Sequence, residues 1–251
     1  MEVRFLGVSG CIPDVGGETA SFVLAKAHLV DTGWCGVLRM RELGLDPLDV
    51  RTLLLTHLHH DHTIGLPQWL FYHMMYRQGT DGGGPLRILG PGQHLAAVVE
   101  AALALLQVGR FPELQLSLEV VPLYPGDSYD LGEVQLETRA AKHTSGVGVP
   151  EPSLCWRATD KATGAVLVFT GDTSYDPGLG EWAQGARVLL HDAAHATGTE
   201  AAQVAKAAGV ERLYLIHSSR ESAARAGRGP HHLPRDLPGA VGGGGGGVRP
   251  L

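Results

Sequence analysis

Asparagine is absent from the 251 residues, and cysteine is scarce, with Cys11, Cys35 and Cys155 the only three. Three is few and odd, so a disulfide framework is excluded as the organising principle. The beginning of the chain carries no apolar leader, and no window approaches the roughly 20 apolar residues that cross a bilayer. The expectation is a soluble, cytoplasmic protein with no membrane partner. Excess positive charge is also lacking. The formal net charge is −6, and Arg outnumbers Lys sixteen to four. That disfavours a protein relying on general attraction to nucleic acid, while leaving room for a local basic patch. The missing Asn fits a heat-exposed protein, because Asn is thermolabile. It fits equally well a GC-rich coding bias. Linkers are lacking as well, since nothing polar or Pro-rich interrupts the first 220 residues. A single domain over residues 1–220 is therefore expected. From Glu221 the character changes: His231-His232-Leu233-Pro234 precedes six consecutive glycines, Gly242 to Gly247. Residues 221–251 read as a flexible Gly/Pro-rich tail with little to bury and no native metal role.

What is present is an alternation of strands and helices. Val3 to Val8, Ala20 to Ala25 and His28 to Asp31 read as strands, Gly36 to Leu43 as an amphipathic helix, and Val50 to Thr56 as a strand. Ile64 to Tyr72 is helix-like. Gly79 to Pro85 reads as a loop, Leu86 to Leu89 as a short strand, and Gln93 to Val108 as a long Ala/Leu helix. The second half repeats the pattern: strands at Leu116 to Leu123, Val134 to Ala140, Ser153 to Ala158, Ala165 to Thr170 and Ala186 to His191, a helix at Thr199 to Ala208, and a last strand at Arg212 to His217. Two runs of strands, each followed by helices, predict an α/β fold with two sheets face to face and helices outside.

The chemistry concentrates in His57-Leu58-His59-His60-Asp61-His62, directly after the apolar run Arg51 to Thr56. Four candidate ligands (His57, His59, Asp61 and His62) at the end of a buried strand are difficult to explain without metal. Imidazole with carboxylate suits zinc or a similar first-row divalent ion. In a turn leaving a strand, His57 and His59 can converge on one ion while Asp61 and His62 point toward a second. His60 has the wrong parity to join them and reads as solvent-facing or supporting.

Three later residues share this context, each a polar group closing an apolar strand: His143 after Val134 to Ala141, Asp172 in Phe169-Thr170-Gly171-Asp172, and His217 after Leu213 to Ile216. The expected arrangement is one metal on His57, His59 and His143, a second on Asp61, His62 and His217, and Asp172 bridging. A bridging hydroxide, acidified by both ions, would be the nucleophile. Asp31, in Asp31-Thr32-Gly33, either orients a ligand histidine or forms an ordinary Asx turn. Trp69, Phe71, Tyr72, Met74 and Met75 line either the core or a substrate cleft, and such a stripe is more often core.

Taken together, these residues resemble the metallo-β-lactamase fold superfamily. His57 to His62 matches its His-x-His-x-Asp-His signature, with His143, Asp172 and His217 in order at the later ligand positions. The resemblance covers residues 1–220 and is strongest to the branch of ribonuclease Z and related phosphodiesterases, through Phe5 to Gly10, Thr56 to Leu66 and Gly209 to Ser219. It implies a four-layer αβ/βα sandwich and a dinuclear metal-dependent hydrolase, with two divalent ions, Zn2+ first and Mn2+ or Fe2+ as alternatives. Asp61 belongs among the catalytic residues on this reading. His191 to Ala194 and His195 to Thr197 look like the branch's His-Glu-Ala-Thr and His-Ser-Thr segments, merged. His195 then stabilises the phosphate or protonates the leaving oxygen, and Asp192 orients it. The competing reading is a histidine in a loop where Thr197 or Thr199 caps the next helix.

The branch's arm for the tRNA elbow falls between His143 and Asp172, and here it is missing. The closing Ser218-Ser219-Arg220-Glu221 also departs from the branch's Phe-Ser-Pro-Arg. The expected substrate is a small-molecule or short nucleotide phosphodiester, with RNA second. The alternatives are hydrolysis of a carboxylic ester, lactone or other acyl bond, a tRNA 3′-processing endoribonuclease, and a metal-binding protein without turnover. A homodimer is the common starting expectation for the assembly.

Overall fold

The computed structural model describes residues 1–13, 15–77, 84–111, 113–144 and 148–218; the tail expected at 221–251, with His231 and His232, lies outside them. The first half gives strands β1 (Val3–Gly7), β2 (Ser21–Leu24) and β3 (His28–Val30), helix α1 (Gly36–Glu42), β4 (Thr52–Leu54), the short helix α2 (His60–Thr63), α3 (Leu66–Tyr76), β5 (Leu86–Pro91), α4 (Leu95–Leu105) and β6 (Leu118–Leu123). The second half gives β7 (Ser128–Asp130), β8 (Val134–Ala140), β9 (Leu154–Asp160), β10 (Val166–Phe169), α5 (Gly178–Trp182), β11 (Val188–Asp192), α6 (Gly198–Ala208) and β12 (Arg212–Ile216).

Two six-stranded sheets result, ordered β1-β2-β3-β4-β5-β6 and β12-β11-β10-β9-β8-β7. From β3 to β6 the first sheet is parallel, and β10, β11 and β12 are parallel in the second. Side-chain alternation explains how one strand serves two cores. In β10, Leu167 and Phe169 enter the layer between the sheets, while Val166 and Val168 enter the layer under α5 and α6. In β4, Leu54 faces the other sheet, while Leu53 and the following Leu55 pack with Trp69 and Leu70 of α3 and Leu95 of α4. Strands buried on both faces read as unbroken apolar runs, as these do. The protein is thus the four-layer αβ/βα sandwich.

The inter-sheet layer is held by aromatics. Phe22 of the first sheet meets Phe169 of the second edge-on at 5.3 Å, and Trp156 stacks on Phe169 at 6.1 Å. Fully buried, Trp156 and Phe169 each contribute about 1.5–3 kcal/mol or more of transfer free energy. The helix expected over 93–108 is shorter, Leu95–Leu105, because His94 (φ 69°) and Gln107 (φ 53°) adopt left-handed backbone at its two ends. The Trp/Met stripe divides: Trp69 and Met74 are core, whereas Phe71 and Met75 are 46% and 45% exposed.

Candidate metal centre

The candidate residues follow the C-terminal ends of β4, β8, β10, β11 and β12, which lie along one edge of the sandwich. His57, His59, Asp61 and His62 come from the first sheet's side; His143, Asp172, Asp192, His195 and His217 come from the second. The turn after β10 depends on Gly171. Its φ is +56°, and a Cβ there would stand 2.6 Å from Thr56 Cβ. Glycine alone lets Asp172 approach the first cluster.

His57, His59 and His143 form a triangle of rings with all three centroid separations at 4.7 Å. His59 Nδ1 and His143 Nε2 are 3.1 Å apart. Asp61, His62, Asp172 and His217 form a second, wholly buried group, and Asp172 and His217 also meet Asp192 and His195. Within each group the nitrogen and oxygen atoms on offer lie within 4.8 Å of one another. Asp172 stands between the first two groups, its Oδ2 3.7 Å from His57 Nε2 and its Oδ1 3.4 Å from His62 Nε2. His217 reaches Asp61 Oδ2 through Nε2 at 3.1 Å, on a backbone with φ of 55°.

A set of supporting bonds aims these rings. His62 Nδ1 lies 2.8 Å from Asp31 Oδ2, which leaves Nε2 directed at Asp61 and Asp172. Asp31 also accepts from the Thr56 amide and hydroxyl at 2.8 and 2.9 Å, so it is an orienting carboxylate rather than only a turn residue. Asp192, fully buried, accepts from the Thr173 and Ala194 amides and pairs with His195 Nδ1 at 2.8 Å. His195 stacks on His217 at 5.4 Å and 7° and remains 35% exposed. Thr197 does cap α6, in a capping box with Glu200, so the helix start and the Asp192–His195 pair coexist. His60 is exposed.

One carboxylate was not anticipated. Glu18 is 1% exposed and accepts from the Thr19, Trp34 and Cys35 amides at 2.7, 2.8 and 2.6 Å. The neighbouring Thr19 hydroxyl donates to Asp61 O at 3.1 Å. Together they fix the segment after β3 and the start of α2. In sequence, Gly16-Gly17-Glu18-Thr19 has the look of an exposed turn, and nothing local distinguishes it.

The electrostatics ask for cations. Burial opposes charge on Asp61, yet the hydrogen bond from His217 and the adjacent His62 ring hold it far below the usual carboxylate range. Burial likewise opposes charge on His217, but Asp192 and Asp61 raise it to about 10. His57 goes the other way, lowered well below its ordinary value by burial and by His62, His143 and His59. His57 Nε2, His62 Nε2, His143 Nδ1, Asp172 Oδ1 and His217 Nδ1 are buried with no hydrogen-bond partner. Each such atom costs about 1–3 kcal/mol if left unmatched. Carboxylate oxygens and imidazole nitrogens converging in this way fit divalent metal ions.

Comparison with known proteins gives the same picture. The family model described as "Beta-lactamase superfamily domain" matches residues 28–218. An uncharacterized protein of Mycobacterium tuberculosis is 29% identical over 232 residues, 86% of this chain and 80% of that one. A ribonuclease Z of Methanothermobacter thermautotrophicus is 25% identical over 275 residues, 87% of each chain. Among solved structures, the short form of human tRNase Z superposes with a TM-score of 0.71 at 23% identity, covering 88% of this chain and 93% of that one.

Proposed function

The chain belongs to the β-lactamase superfamily, and from that premise we propose that it is a dinuclear metal-dependent phosphodiesterase. His57, His59 and His143 would hold one ion and Asp61, His62 and His217 the other, with Asp172 shared. The mixed imidazole and carboxylate set favours Zn2+, with Mn2+ or Fe2+ as alternatives. When bound, the ions acidify water toward neutral pH and offset charge growing on the phosphoryl oxygens.

The observation that carries the phosphodiester reading is the His195–Asp192 pair at the rim of this centre. The Asp192 carboxylate takes Nδ1 of His195 and holds the ring's pKa above its ordinary value. Nε2 then carries a proton for the leaving alkoxide oxygen, and the imidazolium complements an anionic diester. Asp31 fixes the tautomer of His62, and Asp61 accepts from His217, orienting that ring while remaining an anion that would ligate the second ion. The ribonuclease Z names among relatives at 25–28% identity support the same bond type. Residues 144–171, between His143 and Asp172, hold β9, β10 and their connections, which leaves no length for a tRNA-binding arm. The substrate proposed is therefore a small or short nucleotide diester. The three free cysteines support a reducing, cytoplasmic setting.

The test is hydrolysis of bis(p-nitrophenyl) phosphate by metal-analysed protein, beside aryl esters and lactones, with Asp61→Ala as control. Diesterase activity lost in the control supports the proposal. Turnover of acyl substrates alone makes the protein an acyl hydrolase, and silence toward every class by fully loaded protein leaves a non-catalytic metal protein.

A further inference from the structure

At the same edge of the sandwich lies a cavity of about 320 Å³ that the reaction described so far does not use. It opens where the C-terminal ends of β5 and β6 meet the end of β8 and the start of β9. Two backbone hydrogen bonds tie its lining segment to the metal centre's own strands. Glu151 N donates to His143 O at 3.1 Å, and Leu154 N donates to Thr56 O at 2.9 Å, one residue before His57. Four prolines (Pro91, Pro125, Pro150 and Pro152) make up much of the wall, with Tyr124 beside them and Glu151 the one charged lining residue among those described.

These walls select by charge and shape. Among the described residues no Lys or Arg lines the cavity, and the nearby Lys142 pairs with Asp176 at 3.1 Å. A phosphate entering would meet Glu151 and no cation, which is repulsive. Tyr124 is 56% exposed, and its backbone is anchored on both sides. Its amide donates to Asp127 Oδ2 at 2.8 Å, and its carbonyl accepts from Thr138 Oγ1 at 2.7 Å. Gly92 lets the ring lie against the backbone, since a Cβ there would stand 2.4 Å from the ring carbon Cζ. Gln93 adds a side-chain amide to the lining, its Nε2 3.3 Å from His94 Nε2. The volume is at the lower end of the about 300–1,000 Å³ typical of small-molecule sites.

We propose that this cavity is the subsite for the flat, uncharged base of a nucleoside esterified to the phosphate cleaved at the metal centre, an inference resting on the phosphodiesterase reading above. Two measurements on the full chain separate the inference from that reading. The first is calorimetric binding of adenosine and thymidine, which needs no turnover. Base stacking on one aromatic ring predicts binding about tenfold weaker in Tyr124→Ala and near the original in Tyr124→Phe. The second compares kcat/KM for p-nitrophenyl thymidine 5′-phosphate with that for methyl p-nitrophenyl phosphate. The expected preference is about tenfold for the nucleoside ester, falling toward one in Tyr124→Ala. Should Tyr124→Ala fail to fold by thermal unfolding, Gln93→Ala reads the same wall in the same direction. Nucleosides that do not bind, or bind equally to wild type and variant, overturn the subsite even if both diesters are cleaved. Nucleoside binding that weakens in the variant while neither diester is cleaved upholds the subsite and defeats the phosphodiesterase reading.

Discussion

At the scale of single residues, groups that would touch metal separate from groups that act beside it. His195 meets the centre by stacking on His217 and is tethered to Asp192, so His195→Ala should lower kcat by about 100- to 10,000-fold while metal content stays unchanged. Loss of metal together with activity would make His195 a ligand instead. The Asp31 carboxylate bonds to His62 and Thr56, so Asp31→Ala should weaken one ion by about 10–100-fold and spare the other, measured by chelator competition. The convergence of His57, His59, Asp61 and His62 with His143, Asp172 and His217 was legible in sequence because His57 to His62 are contiguous and the later three each close an apolar strand. Glu18 was not, because its partners at Trp34 and Cys35 are sixteen and seventeen residues away.

At the scale of elements, the turn after β10 and the helix α3 make separable predictions. Gly171→Ala forces a left-handed backbone on alanine and a Cβ 2.6 Å from Thr56, at a cost of about 1–3 kcal/mol. Activity should fall further than stability, since Asp172 is the next residue; an unchanged kcat/KM would mean that the turn does not set the site. Helix α3 buries His73, whose pKa burial and Arg77 push down to about 4. Unfolded, this histidine takes a proton near its ordinary value of 6.5, so the unfolded state binds more protons between the two values. Stability is therefore full above pH 6.5 and is lost as pH falls toward 4, by up to about 3 kcal/mol. His73→Phe should flatten that acid-side loss in urea midpoints between pH 7 and pH 5. Among elements, β7 and α5 escaped the sequence reading for physical reasons. Ser128-Tyr129-Asp130 is a half-exposed sheet edge with no apolar run, and α5 is five residues long and contains two glycines. The cavity is also invisible in sequence, being assembled from the ends of four strands.

At the scale of the whole molecule, the sheets supply the candidate metal groups jointly. Neither half carries a complete set: His143 must cross from the second sheet to join His57 and His59, and Asp61 and His62 need His217. Metal should thus clamp the two sheets across their common core. At metal concentrations about 100-fold above Kd, binding contributes about 2.7 kcal/mol, so chelation should lower Tm by about 5–10 °C. A Tm indifferent to chelation would place the ions outside the fold's cooperative unit. Trp156→Ala, in the core shared by the two sheets, should cost about 3–5 kcal/mol without changing metal stoichiometry. The four-layer architecture was legible because strands buried on two faces leave unbroken apolar runs, while the helix boundaries depended on left-handed residues such as His94. The central claim is tested most directly by titrating the metal-free protein with Zn2+ and following bis(p-nitrophenyl) phosphate hydrolysis. The predicted result is activity that rises to a plateau at two ions per chain; a plateau at one ion, or two bound ions with no diester cleaved, would contradict it.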